Sequence, residues 1–122
     1  MNEPRSQPVP SVTDADVERV VRRDYGPAHA DDVLALLLTY GAESWQREAP
    51  RVRLAILRLA GGDIEHLRRE LDVAKRDYRD VLLGAEYLSY GALTLRTPHP
   101  SPDDAQRAIA ADWGAYQEWL RR

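Results

Sequence analysis

The sequence predicts an all-α protein, a compact bundle of about five helices. Three observations carry that expectation. Apolar residues recur at steps of three and four along most of the chain. Ser, Asp, Pro and Gly fall where those stretches begin and end, as helix caps and stops do. No run beyond Leu93-Thr94-Leu95 alternates as a strand would.

Residues 1–11 hold Pro4, Pro8 and Pro10 among polar residues, the composition of a flexible, disordered tail. The remainder, 12–122, reads as one helical domain. Ser11 or Thr13 caps the first helix, with Asp14 and Asp16 in the opening turn, where carboxylates favour the helix dipole. Val17, Val21 and Tyr25 share a face, with Val20 beside them, and Gly26-Pro27 ends the helix. The second helix runs from about Pro27 to Tyr40, with Pro27 in its first turn. Its run Val33-Leu34-Ala35-Leu36-Leu37-Leu38 is apolar nearly all round, which marks it as the expected centre of the fold.

Residues 42–49 read as a short turn carrying Trp45. Pro50 opens a third helix to Ala60, stopped by Gly61-Gly62, with Val52, Ile56 and Leu59 inward. At about 100° per residue, Arg47, Arg51 and Arg58 form a ridge on the opposite side. The fourth helix is the longest, from Asp63 to Tyr90. Ile64, Leu67, Leu71, Ala74, Tyr78, Val81, Ala85 and Leu88 make its heptad-like stripe. Glu65 precedes Arg69, and Asp72 precedes Arg76, by four residues on a solvated face. Gly91 ends it. Residues 92–101 read as an extended spacer because Pro98, Pro100 and Pro102 alternate with other residues. Ser101 caps the fifth helix, with Pro102 first and Asp104 in its opening turn. Ala105, Ile109, Trp113, Tyr116 and Leu120 form its stripe, and Trp119 falls outside it beside Ala108 and Ala115.

The fourth helix is too long for its domain. Residues 63–90 would span about 42 Å, against a diameter of roughly 35 Å for a compact domain of this size. Either the helix breaks, with Gly84 the weak point, or its last turns are covered by another chain.

Composition bounds the chemistry. A chain of 122 residues suggests one domain. It has no cysteine, which excludes disulfides, thiolate metal sites and thiol nucleophiles. No apolar run reaches the length of a membrane span, and the first residues hold no apolar signal segment, so a cytoplasmic location is expected. Arginine and alanine far outnumber lysine, the bias of a GC-rich bacterial genome. The net charge is −3, unevenly placed: residues 47–79 carry nine Lys and Arg against six acids, between two acidic ends.

Few residues suggest catalysis. His29 lies three residues before Asp32 and close to Asp31, a partial metal-ligand spacing at a helix start. His66 and Glu70 are spaced as a surface pair, and His99 sits among prolines. No nucleophile elbow, phosphate-cradling loop or dinucleotide fingerprint occurs. No cofactor is expected.

The aromatic set points elsewhere. There are three Trp, six Tyr and no Phe, and rings with polar tips favour half-buried positions and interfaces. The expected role is therefore a non-enzymatic protein–protein interaction module, one that self-associates or meets a protein partner. Its candidate surfaces are Tyr87, Leu88 and Tyr90 at the far end of the fourth helix, and Trp119 on the fifth. One alternative is a nucleic-acid-associated regulator using Arg47, Arg51 and Arg58, which the overall acidity disfavours. A second is a small metal-dependent enzyme around His29, Asp31 and Asp32.

Overall fold

The structure, a computed structural model, describes residues 9–122, so most of the expected tail lies outside the described residues. Of the part described, Pro10 is buried. The described residues form seven helices and no strand. They are α1 (Asp14–Tyr25), α2 (Pro27–Leu37), α3 (Ala49–Ala60), α4 (Ile64–Arg76), α5 (Tyr78–Glu86), α6 (Leu88–Arg96) and α7 (Pro102–Arg121). Among the described residues no helix is long and apolar enough to cross a membrane.

The first two helices follow their punctuation. The Asp16 carboxylate accepts the Thr13 backbone N–H at 2.9 Å, tying the start of α1. Gly26 ends α1 at a φ of 79°, in the region that favours glycine, and Pro27 opens α2. The two helices pack against each other, and α1 also packs on α3.

The centre of the fold is α3, not α2. Residues 52–57 are all buried, and α3 packs against α1, α4 and α5. In α2 only Ala30, Val33 and Leu37 are buried, and Leu38 just beyond it is 61% exposed. The reason lies with arginine. Charged residues on α3 made it read as half solvated, yet Arg53 is buried. Its Nε donates to the Leu37 carbonyl at 3.1 Å, and its Nη2 to the Tyr40 carbonyl at 2.7 Å. The guanidinium thereby satisfies carbonyls left over at the end of α2, and both flanks of α3 close.

The long fourth helix is broken twice, and neither break is at Gly84. Asp77 is extended, with φ −158° and ψ 100°, and its carboxylate caps α5 by accepting the Arg79 N–H at 3.1 Å. Asp63 caps α4 in the same way through the His66 N–H at 3.0 Å. Bonds from Arg79 and from the His66 amide hold these two carboxyls below the ordinary aspartate value of 3.8. The break lets α4 and α5 both fold onto α3, which resolves the excess length. The second break, at Tyr87, turns the chain into α6. Gly84 lies inside α5 at a close approach: a Cβ there would meet Leu59 Cδ2 at 3.3 Å. Of the predicted stripe, Leu67, Leu71, Ala74, Val81 and Ala85 are buried, and Leu88 is left 68% exposed.

The expected spacer is also shorter. Residues 92–96 belong to α6, which runs through Gly91, and only residues 97–101 remain outside helices. The start of α6 is capped from another element: Asp112 of α7 accepts the N–H groups of Ser89 and Tyr90 at 2.9 and 3.0 Å. The cap on α7 is the expected one, Ser101 Oγ accepting the Asp104 N–H at 3.1 Å. At its far end, Arg19 and Arg23 of α1 donate to the Leu120 and Trp119 carbonyls at 2.7 and 2.8 Å. Thus α7 packs on α6 and α5 and is locked to α1.

Candidate interaction surface

The arginine ridge is not a surface. Arg51 turns inward to Glu86, where Nη2 and Nε lie 2.6 and 2.9 Å from the two carboxylate oxygens. The Glu86 side chain is 3% exposed and that of Arg51 13%, so this is a buried ion pair. The paired carboxylate raises Arg51 above the ordinary arginine range. Glu48 and the Tyr87 hydroxyl accept its remaining donors at 2.9 and 3.2 Å. Arg58 is half-buried. Its Nη1 donates to the Ala85 carbonyl at 2.7 Å, and its guanidinium lies 5.7 Å from the Tyr116 ring centroid. Arg47 is exposed on the loop before α3. The three share neither direction nor environment. The acidic partners of Arg51 are thus Glu86 of α5 and Glu48 just before α3.

Trp119 is not on an outer face. It is 8% exposed, a member of the core, tilted against Tyr116 at 5.4 Å between centroids. The inward face of α7 comprises Ile109, Asp112, Tyr116 and Trp119, while Trp113 is only half-buried. Asp112 was the legible signal for that rotation. An aspartate three residues after Ile109 and four before Tyr116 sits on an apolar face, where only a hydrogen-bonding task retains it. Burial, chiefly, pushes the Tyr116 phenol well up, and its hydroxyl makes no hydrogen bond among the described residues.

Tyr87, Leu88 and Tyr90 fall at the junction of α5 and α6. Tyr87 is half-buried against Arg51, and burial raises its phenol. Leu88 and Tyr90 line a crevice of about 520 Å³ between α5 and α6. The other residues of that lining were not foreseen. Leu83 and Leu95 stand 49% and 88% exposed beside Leu88. Gly84, Gly91 and Ala92 also line it, and among the described residues Asp80 is its charged member. Leu95 was missed because the prolines after it made residues 92–101 read as extended. Leu83 was missed because it lies off the stripe of a straight helix.

His29, Asp31 and Asp32 are all exposed near the start of α2. Among the described residues no three His, Asp or Glu side chains gather where they could hold a metal ion. His66 Nε2 lies 3.1 Å from Glu70 as a surface pair. Comparison with family models, with curated proteins and with solved structures finds no match to this chain.

Proposed function

We propose that this protein is a non-enzymatic interaction module that self-associates through the face formed by α5 and α6. One observation carries the reading. α6 has no buried residue, yet it presents Leu88 and Leu95 to solvent. A helix of nine residues is marginal in water by itself and needs an apolar face covered. Its contacts with α5 and α7 cover one side only.

The occupant is a second copy of this chain. Leu88 and Leu95 are seven residues apart on α6. One face of α6 therefore carries two protruding leucines with the small Ala92 between them. That is what an isologous two-fold contact needs, since each surface must complement itself. The lining of the crevice offers a charge-reading partner Asp80 alone among the described residues. With the two-fold axis through the middle of α6, Ala92 meets its own copy. A nine-residue helix is about 14 Å long. The contact is small, and a weak, concentration-dependent dimer follows.

Sedimentation velocity on the full chain tests this. The expected result is a monomer–dimer equilibrium that Leu88→Glu with Leu95→Glu abolishes without loss of helicity. Both side chains are exposed, so the fold does not depend on them. A strictly monomeric chain up to about 1 mM, where association worth about 4 kcal/mol still registers, overturns the reading.

A further inference from the structure

A second crevice, of about 550 Å³, lies where the ends of α1, α3 and α7 meet the Gly61-Gly62 turn. Its charge is out of keeping with the molecule. The chain carries a net −3, yet this crevice is lined by Arg23, Arg58 and Arg122 against Asp24 alone. Asp24 is already matched: Arg23 Nε donates to its Oδ1 at 2.8 Å, and Arg23 Nη1 is occupied by the Trp119 carbonyl. The guanidinium groups of Arg58 and Arg122 form no ion pair among the described residues.

Arg58 is the unusual member. It is half-buried and forms no ion pair among the described residues, and its hydrogen bond goes to the Ala85 carbonyl. Its guanidinium lies 5.9 Å from the Trp119 ring centroid, while that of Arg23 lies 5.3 Å from the same ring. Two cations thus crowd one indole. Burial first, and then Arg122, push Arg58 below the ordinary arginine range, against an opposing pull from Tyr116 and Asp112. A partly desolvated cation with no carboxylate in ion-pair contact among the described residues, in an open crevice beside a second cation, is an arrangement an anion stabilises.

We propose that this crevice binds a phosphate monoester, with Arg58 and Arg122 as its cationic arms. The charge matches, because a monoester carries about −1.5 to −2 near neutrality. The planar guanidinium fork also suits two phosphate oxygens at once. The site is remote in role from the α5–α6 face, and neither proposal depends on the other.

Titration of the full chain with inorganic phosphate and, separately, with phenyl phosphate tests the site. The readout is the NMR shift of the Trp119 indole N–H and the Arg58 Nε–H, with sodium chloride at matched ionic strength as the control. Saturable shifts with either phosphate and none with chloride are expected. Tighter binding of phenyl phosphate identifies an organic monoester as the ligand class, and equal binding identifies free phosphate. Arg122→Gln, at an exposed position, weakens binding about tenfold, the loss of one charge-assisted contact. Arg58→Gln abolishes it, with amide spectra confirming a folded variant. Arg107→Gln, on the exposed side of α7, changes nothing. Shifts that do not saturate with either phosphate, or that persist unchanged in Arg122→Gln, overturn the proposal.

Discussion

The buried pair of Arg51 and Glu86 joins α3 to α5 and shows what single residues decide here. Taking two charges out of water is costly, and the fork-to-carboxylate geometry offsets it only while both partners are present. Removing one leaves the other stranded. Glu86→Ala is expected to destabilise the fold by about 3 kcal/mol, read as a lower urea midpoint. The paired replacement Arg51→Met with Glu86→Leu recovers most of that loss. A double variant no better than Glu86→Ala would mean that the carboxylate serves more than its partner. This pair was not legible in the sequence. Periodicity sorts charged residues toward water, and Arg51, Arg53 and Arg58 each break that rule by finding an acceptor inside. Trp119 was misplaced for a related reason. Arginines of α1 and α3 cover its ring, and pattern alone cannot show a cation acting as cover for an aromatic.

At the scale of elements, local punctuation served well. The starts of α1, α2, α4 and α7 stand within a residue or two of their expected positions, because Thr13, Pro27, Asp63 and Ser101 act through contacts a few residues away. The long helix failed because its stripe runs unbroken through Asp77, and the break answers to a tertiary demand. Two short helices reach α3, whereas one straight helix overshoots it. The cap on α6 was likewise invisible, since Asp112 reaches it from 22 residues away in the sequence. Asp112→Ala is expected to cost about 1–2 kcal/mol, as lost caps do, and to speed hydrogen exchange at the Ser89 and Tyr90 amides. The loss should be local: amides of α3 remain protected relative to the lowered global stability. Unchanged exchange at Ser89 and Tyr90 would show that α6 does not depend on this cap. Because the apolar face needs an ordered α6, the same variant weakens self-association without altering one residue of that face.

For the whole molecule, the helices divide their work. α3 holds the core, α7 ties α1 to α6, and α6 is the described helix with no buried residue. The predicted long helix breaks at Asp77 and Tyr87, and Leu88, just beyond the second break, is left 68% exposed. The chain holds no cysteine, so a single introduced thiol reports only on contact with its own copy. A disulfide requires Cα atoms within roughly 7 Å. Mild oxidation of Ala92→Cys, at the middle of α6, is compared with Ala28→Cys, on the exposed side of α2. A two-fold contact across α6 is expected to give a covalent dimer from Ala92→Cys and a persistent monomer from Ala28→Cys. Equal cross-linking at both positions, or none at Ala92→Cys, would contradict it.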